Sequence, residues 1–342
     1  MHAAVPLDEV ETPLASPALA TFKAVVQDRY GPPDVLEVRE MPMPPLERDS
    51  VLIRVLATSV NALDWHMMRG KPFLVRLTDG FRRPKDPRRG VDVAGVVEAV
   101  GASVTAFRPG DEVFGGRDGA FAERVRGRER NFVLKPAGVS FEEAAAVPVA
   151  GTTALQAVRD RGAVRAGESV LVTGANGGVG VYAVQIARAL GASVTASARS
   201  APAELLRSLG ATDVVDAAAE DITRSGRRFD VIIDVAAWHS LVSLRRILTT
   251  HGRVVIVGAP EGNWLAPVRR PILGTILSRF GSRRIIPFLA KLNRDDLEVL
   301  RGMLESGAIR SVIDSRYPLS QAADAVRRLE RGGVRGKVVI TV

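Results

Sequence analysis

The chain has 342 residues, of which 46% are hydrophobic and 25% charged, and it contains no cysteine. That composition is typical of a globular protein with two cores, and it excludes disulfides, thiol nucleophiles and cysteine-ligated metals. The net charge is +9, but aromatic residues are scarce and no recognition motif is present, so no nucleic-acid partner is predicted.

The first twenty residues contain Asp8, Glu9 and Glu11 and neither lysine nor arginine. They match neither a secretory signal nor an arginine-rich transit peptide, and we interpret residues 1–20 as a flexible N-terminal extension. No apolar run reaches membrane-spanning length without charge or proline. A cytoplasmic protein with no membrane partner is therefore predicted.

From residue 22 to about residue 139 the segments are short and β-like. Gly-Pro-Pro at 31–33, Pro-Gly-Asp at 109–111 and Gly-Gly at 115–116 separate them. This spacing predicts a small antiparallel barrel or sandwich. Its candidate strands are 23–27, 35–40, 51–59, 91–100, 112–114 and 120–125.

One stretch of this region, between residues 77 and 90, is predicted to be an irregular loop because it holds Gly80, Pro84 and Pro87. Basic residues cluster there and just before it: Arg76, Arg82, Arg83, Lys85, Arg88 and Arg89. The loop is either solvated or a docking site for an anionic partner or a phosphorylated carrier substrate.

At Ser140 a capping-box pattern, with Glu143 three residues later, opens a helical stretch. Strands and helices then alternate, which predicts right-handed crossovers and a doubly wound parallel sheet in an α/β protein. Its strands are predicted at 170–173, 193–196, 214–215, 231–235 and 253–257. The segment 264–289 is predicted to form a helix or two over the cleft or the dimer edge. A helix at 294–305, a strand at 315–319, a helix at 321–330 and a strand at 337–342 are predicted to rejoin the first domain.

The turn after the first of these parallel strands, G-A-N-G-G-V-G at 174–180, leads directly into an apolar helix. This arrangement brings a dinucleotide pyrophosphate against a helix N-terminus, where free N–H groups and the helix dipole favour phosphate. Gly177 would let the backbone approach the phosphates, and Gly180 would let the helix pack closely on the strand. Ala175 replaces the first glycine of the usual G-x-G-x-x-G. The candidate cofactor contacts here are Asn176, Gly177, Gly178, Val179 and Gly180.

The type of cofactor is indicated about 20 residues after the central glycine, where a carboxylate would hold a free ribose 2′-hydroxyl. This chain has Ser197, Arg199 and Ser200 there instead. A forked guanidinium suits a 2′-phosphate, so NADPH is favoured over NADH. The alternative is a solvent-facing arginine on a polar loop.

Motifs spread along residues 22–342 resemble the zinc-independent medium-chain dehydrogenase/reductase superfamily, in particular its quinone oxidoreductase and zeta-crystallin group. They are A-V-V-Q-D-R-Y-G-P-P-D-V-L at 24–36, S-V-N-A-L-D-W at 59–65, V-D-V-A-G-V-V-E-A-V-G at 91–101, R-P-G-D-E-V-F-G at 108–115, the glycine turn, and G-K-V-V-I at 336–340. The resemblance implies a GroES-like β-barrel catalytic domain (21–140 and 290–342) joined to a Rossmann NADP-binding domain (141–289). The active site would lie in the cleft between them.

Zinc alcohol dehydrogenases of the same superfamily are the nearest competing interpretation. Their catalytic metal needs a cysteine where this chain has Asn61, and a Gly-His-Glu where it has Gly90-Val91-Asp92. The histidines are also scattered at spacings that make no site, so no metal is predicted. Without a Lewis acid, simple alcohol oxidation is not expected.

Members of the resembled group transfer hydride from NADPH to quinones or to the β-carbon of α,β-unsaturated carbonyl compounds. By this resemblance Asn61 would hydrogen-bond the nicotinamide or the substrate oxygen, unless it only supports a turn, and Asp64 would have a supporting role. His66 would deliver a proton, or it would line the cleft while solvent supplies the proton. The nicotinamide would contact Thr153, Val235, Ala236, Val257, Gly258 and Ala259.

The resemblance also implies a homodimer. Relatives often have Asp-Tyr near the adenine, but here Asp216 is followed by Ala217, which leaves open how the adenine is stacked. Two other functions would use the same cofactor site. One is a pathway-specific enoyl reductase acting on a carrier-bound intermediate, and the other is a non-catalytic NADPH-binding sensor.

Overall fold

A computed structural model of the protein describes residues 21–200, 202–258, 266–279 and 281–342. In these ranges one sheet is wholly parallel and another is mainly antiparallel, which confirms the predicted α/β class. No helix in the described ranges is long and apolar enough to cross a bilayer.

The N-terminal part begins with an antiparallel pair, β1 (Thr21–Val26) and β2 (Glu37–Pro42). A larger sheet contains β3 (Ser50–Val60), β4 (Asp92–Val100), β5 (Glu112–Gly116), β6 (Arg124–Arg128), β7 (Phe132–Leu134), β14 (Ile313–Pro318) and β15 (Lys337–Thr341). Its order is β14-β15-β3-β4-β5-β7, and β6 also pairs with β3. Because β15 pairs with β3, the end of the chain returns to the first sheet, as predicted.

The parallel sheet contains β8 (Ser169–Thr173), β9 (Ser193–Ala198), β10 (Asp213–Asp216), β11 (Phe229–Asp234), β12 (Leu248–Ile256) and β13 (Arg284–Pro287). Its order is β10-β9-β8-β11-β12-β13, which is 3-2-1-4-5-6 in chain order. That is the order of a Rossmann sheet, in which ligands bind outside the carboxyl ends of the strands where the order reverses. Here the reversal lies between β8 and β11.

The helices of the described ranges are α1 (Ala62–Arg69), α2 (Val75–Asp79), α3 (Phe141–Ala145), α4 (Pro148–Leu155), α5 (Gly178–Ala189), α6 (Ala203–Ser208), α7 (Leu241–Arg246), α8 (Ala266–Leu277), α9 (Arg294–Glu305) and α10 (Ala322–Glu330). Helix α3 has the predicted capping box, since Ser140 Oγ accepts from Glu143 N at 3.2 Å and Glu143 Oε2 accepts from Ser140 N at 2.9 Å. Helix α5 is buried along most of its length because its sequence is apolar on nearly every side.

Three predicted elements differ from the structure. Residues 120–123 form a connection whose backbone bonds to β1 and to Arg89, so the strand starts only at Arg124. Helix α2 occupies the start of the predicted irregular loop. The segment 264–289 includes strand β13 besides helix α8, because a strand of four residues is too short for its apolar residues to show a period that separates a strand from a helix.

Several of the basic residues at 76–89 have partners within the described part of the chain. Arg89 is buried beside Asp79, 3.4 Å away, and Arg88 forms a 2.7 Å ion pair with Asp86. The guanidinium of Arg76 lies over the ring of Tyr30, 4.6 Å from its centroid. The basic cluster is therefore only partly a solvated surface.

Candidate active site

The glycine turn has the geometry that a phosphate-binding turn requires. Gly174 follows β8 with φ +64°, and Gly177 caps α5 without a side-chain hydrogen bond, which leaves the first N–H groups of the helix for an anion. A Cβ at Gly180 would lie 2.1 Å from the carbonyl oxygen of Gly174, whereas a Cβ at Gly177 would meet no atom closer than 3.4 Å. The helix thus packs on the turn at Gly180, and the turn is open at Gly177.

The ends of β11 and β12 lie beside this turn and are held together by Asp234. Its carboxylate accepts from Thr173 Oγ1 at 2.7 Å and from Arg270 Nη2 at 2.5 Å. Its carbonyl accepts from the N–H groups of Val257 and Gly258 at 3.1 and 3.0 Å.

These bonds bring together the residues predicted to contact the nicotinamide. A Cβ at Gly258 would lie 2.0 Å from the carbonyl oxygen of Val235, and one at Gly174 would lie 3.0 Å from Ala236 Cβ. Ala259 lies outside the described residues. The small side chains at these strand ends leave room for a flat ring.

The last residues of β9 and the loop after it carry the three residues predicted to contact the ribose, with Ser197 in the strand and Arg199 and Ser200 in the loop. Ser197 Oγ is buried and has no hydrogen-bond partner in the described part of the chain. Arg199 is exposed, and Ser200 has φ +50° while its N–H donates to Asp216 Oδ1 at 3.0 Å. The orphaned hydroxyl and the exposed guanidinium fit a polar ligand at this edge.

Asn61 is the centre of a buried polar network. Its Nδ2 donates to Asp92 Oδ2 at 2.8 Å, and its Oδ1 accepts from the ammonium of Lys337. Asp92 also accepts from Ser59 Oγ at 2.5 Å and, through its other oxygen, from the N–H of Val149 at 2.9 Å. The orientation of the Asn61 amide is therefore set by a cation on one side and an anion on the other.

Lys337 connects this network to the glycine turn. Its side chain is 2% exposed, and its Nζ lies 3.4 Å from Asp92 Oδ2. A Cβ at Gly178 would lie 3.1 Å from Lys337 Cδ, and the N–H of the preceding Gly336 donates to the carbonyl oxygen of Asn176 at 2.7 Å. One buried lysine thus contacts both the barrel residue Asn61 and the turn where phosphates would bind.

Sequence reasoning missed the roles of Lys337 and Asp92. Lys337 lies in the recognised G-K-V-V-I motif, and Asp92 lies where zinc enzymes have their Gly-His-Glu. Each of these residues is a charged residue in an otherwise apolar strand. Because charged residues are seldom buried unless they are paired, this pattern could have indicated a buried ion pair.

Asp64 supports Asn61 through the backbone. Its Oδ2 accepts from the N–H of Asn61 at 2.7 Å, which completes a capping box at the start of α1. Burial raises the pKa of Asp64 to about 7, although the hydrogen bond from Asn61 opposes this rise. The carboxyl of Asp92 raises the pKa further, and Lys337 lowers it.

A pH dependence of stability follows from the raised pKa. In the unfolded chain an Asp titrates near 3.9, so folding takes up a proton from about pH 4 to pH 7. The contribution of Asp64 to stability is complete below about pH 4 and is lost as the pH rises through its folded pKa. Between pH 5 and pH 8 we expect the wild type to lose roughly 2–3 kcal/mol of unfolding free energy through this group.

The measurement is urea unfolding at several pH values, with Asp64→Asn as the matched variant, because an amide oxygen keeps the capping bond but does not titrate. The variant should have the flatter profile and should gain on the wild type above pH 7. Parallel profiles of the two proteins would contradict the assignment.

His66 lies on α1, where its ring contacts Trp65 edge to face with centroids 4.8 Å apart. Its Nδ1 is 2.8 Å from the carbonyl oxygen of Lys71, so Nδ1 is assigned as the donor and Nε2 has the lone pair. Burial lowers the pKa of His66, and the hydrogen bond to Lys71 offsets only part of that effect. The imidazole is therefore neutral near pH 7.

Thr153 lies on α4, which packs against α5, and its hydroxyl donates to the carbonyl oxygen of Val149 at 2.6 Å. The adjacent Thr152 Oγ1 is buried and has no partner within the described ranges. Since Val149 also donates to Asp92, helix α4 is attached to the network around Asn61.

No group of three or more potential metal ligands occurs within the described ranges. The residues at the two positions where zinc enzymes of the superfamily bind the metal, Asn61 and Val91, are an amide and an aliphatic side chain. Neither residue type is a usual zinc ligand.

Two family models match the chain: an alcohol dehydrogenase GroES-like domain over residues 47–157 and a zinc-binding dehydrogenase over residues 209–340. The chain is 32% identical to the chloroplast envelope quinone oxidoreductase homolog of Arabidopsis thaliana, over 89% of this chain and 93% of the relative. It is 34% identical to the chloroplastic NADPH-dependent alkenal/one oxidoreductase of the same plant, over 93% and 79%. The solved quinone oxidoreductase of Coxiella burnetii superposes with a TM-score of 0.83 at 29% identity, covering 94% of this chain and all of that one.

Proposed function

The chain belongs to the quinone oxidoreductase group of the medium-chain dehydrogenase/reductase superfamily and is an oxidoreductase; from that premise we propose that it reduces a quinone or an α,β-unsaturated carbonyl compound with NADPH. The observation that supports this most is the buried lysine that connects Asn61 to the glycine turn. This contact supports the proposal because the same lysine touches the barrel side chain predicted to contact the nicotinamide and the turn predicted to bind the pyrophosphate.

A nicotinamide dinucleotide fits the residues present. The open turn at Gly177 and the free N–H groups of α5 would hold the pyrophosphate. The strand ends of β11 and β12 would hold the nicotinamide, and the loop after β9 would hold the adenosine half. When bound, the reduced nicotinamide supplies a hydride to the electrophilic carbon of the acceptor.

This chain's own residues would then orient and enclose the reactants. The amide of Asn61 has its Nδ2 engaged by Asp92 and one lone pair of its Oδ1 engaged by Lys337, so it acts as a fixed dipole near the ring. Catalysis would come mainly from holding the two reactants in contact in a site sheltered from water. Such chemistry needs no nucleophile and no metal.

The choice of NADPH is supported by Arg199, which is exposed at the edge where a ribose 2′-phosphate would lie. A guanidinium can grip a phosphate in a forked geometry. The name of the Arabidopsis alkenal/one oxidoreductase also states NADPH dependence for that relative.

Reduction of an enone also needs a proton, and we propose that solvent supplies it, with His66 lining the cleft. A neutral imidazole whose Nδ1 hydrogen is bound to Lys71 is a poor acid at pH 7. His66→Phe is therefore expected to keep kcat within about fivefold, whereas loss of a true general acid costs about 100-fold or more. The check is the pH profile of kcat for both proteins, and a loss of that size with an altered alkaline limb, where a general acid loses its proton, would identify His66 as the donor.

The proposed activity is tested by initial rates of NADPH and NADH oxidation with a panel of quinones and enones, with and without a chelator. NADPH turnover that is insensitive to the chelator is expected. Turnover of carrier-bound enoyl substrates alone would favour the pathway-specific reductase, in which case neutralising Arg82 and Arg83 should weaken only that substrate. Binding of NADPH without turnover of any acceptor would favour the sensor.

A homodimer through the edge of the parallel sheet is also part of the proposal. Strand β13 pairs with β12 alone among the described strands, so its other edge is open to a second copy. The adjacent helix α8 has exposed apolar side chains at Ile272, Leu273 and Ile276. An unpaired strand edge beside an apolar helix face is typical of an interface.

A further inference from the structure

Arg199 and Trp238 form a stack that the proposed mechanism does not use. The guanidinium carbon of Arg199 lies over the indole ring, 4.6 Å from its centroid. The two residues come from the loops after β9 and β11, the strands on either side of β8. Both loops lie at the carboxyl edge of the parallel sheet, where such sheets bind ligands.

The backbone around the stack adopts uncommon conformations on both sides. Ser200, next to Arg199, has φ +50°, and Ala237, next to Trp238, has φ +56°. The N–H of Ser200 is bonded to Asp216, and the N–H of Ala236 donates to Thr173 Oγ1 at 3.2 Å. Left-handed non-glycine residues persist where the surroundings fix them and cluster at ligand clamps. The stack is therefore held by both loops.

Stacking leaves the chemistry of Arg199 available. A guanidinium that lies over an aromatic ring uses its face and keeps its N–H donors at the edge for a planar acceptor. No ion pair of Arg199 occurs in the described part of the chain, and the nearby Asp216 Oδ1 already accepts from the N–H groups of Ser200 and Ala218. A phosphate monoester is the ligand that matches such an edge.

Trp238 also supplies an aromatic surface beside Arg199, whereas the loop after β10, on the far side of β9, lacks one at its start. Ala217 follows Asp216 and offers no ring. We propose that Trp238 sets the preference for a 2′-phosphorylated adenine nucleotide, by holding Arg199 in place for the phosphate and by presenting its indole to the adenosine. This assignment rests on the proposed function, which it extends to a particular pair of side chains.

The test uses binding rather than turnover. Calorimetry with adenosine 2′,5′-bisphosphate and with adenosine 5′-monophosphate measures the contribution of the 2′-phosphate as a ratio of affinities. Trp238→Leu should lower that ratio about tenfold, and Arg199→Met should lower it at least as much, since one good charged contact is worth about that factor. Trp238→Phe should keep most of the ratio because it restores a ring. Arg207→Met, which removes an exposed arginine of the same domain, should leave the ratio unchanged.

Equal ratios in the wild type and Trp238→Leu would overturn the assignment, as would a wild type that does not prefer the bisphosphate. Where Trp238→Leu does not fold, the comparison uses Trp238→Phe and measures how far the bisphosphate quenches the tryptophan fluorescence of each protein. Weaker quenching in the variant than in the wild type supports the assignment, and equal quenching refutes it. NADPH oxidation is measured on the same proteins. If no acceptor is turned over, the proposed activity is refuted. If the ratio of affinities still depends on Trp238 in that case, this inference is supported independently of the activity.

Discussion

Lys337→Met is expected to abolish most NADPH oxidation and to destabilise the protein. The substitution keeps most of the length of the side chain but removes its charge, so the buried carboxylate of Asp92 loses its cation and Asn61 Oδ1 loses its donor. Breaking a buried pair from one side costs about 3–5 kcal/mol. A misplaced Asn61 would also shift the reactants, and a displacement of about 1 Å can cost around 100-fold in rate.

A second variant separates these two effects. Asp92→Asn with Lys337→Met removes both charges and should recover most of the stability but not the rate, because no cation then orients Asn61. Lys135→Met is the control, since the side chain of Lys135 is also largely buried, at 6% exposed, and its Nζ lies 3.1 Å from the half-exposed carboxylate of Glu112. It should lower stability and leave kcat unchanged. A stable double variant with wild-type turnover would show that the network has only a structural role.

Two glycine-to-alanine substitutions in the glycine turn, three residues apart, are expected to have the second large effect: one on NADPH affinity and the other on stability. Gly177→Ala should leave stability within about 1 kcal/mol, because the backbone there is extended and nothing lies closer than 3.4 Å to the new methyl. The methyl would occupy the open side of the turn and weaken NADPH binding about 10- to 100-fold. Gly180→Ala should cost roughly 1–3 kcal/mol or more, because its methyl would meet a backbone carbonyl at 2.1 Å.

The measurements are urea unfolding without nucleotide and NADPH affinity by calorimetry. Gly302→Ala on α9 serves as the control, since a Cβ there meets nothing within 4 Å. If Gly177→Ala binds NADPH as tightly as the wild type, the pyrophosphate does not lie on this turn.

Local patterns predicted the elements whose signals are contained within one stretch of chain. Helix α9 has the predicted bounds, 294–305, because Asn293 caps it and its apolar residues repeat at helical spacing. The glycine turn was also readable, since Gly174 has φ +64° and Gly180 packs against the carbonyl oxygen of Gly174 within the same short stretch. The exact domain boundaries, 141 and 290, stay a prediction.

Tertiary features were much less accessible from the sequence. Lys337 contacts a residue 276 positions away, and no periodicity relates β15 to α1. Trp238 meets Arg199 only because β9 and β11 both flank β8 in the folded sheet. The resemblance indicated the barrel residue Asn61. The cation and the anion that orient it, Lys337 and Asp92, lie on other segments that meet Asn61 only in the folded chain.

The central claim is direct hydride transfer to a quinone or an enone, and the fate of a deuterium at C4 of the nicotinamide tests it most directly. The experiment follows single turnovers with deuterated NADPH, by stopped flow for the rate and by NMR for the product. The account predicts slower oxidation with the transferred deuterium and, for an enone, one deuterium at the β-carbon of the saturated ketone. An enone product that carries hydrogen from solvent at the β-carbon would contradict it. So would a chemical step that runs at the same rate with deuterated and undeuterated NADPH for every acceptor.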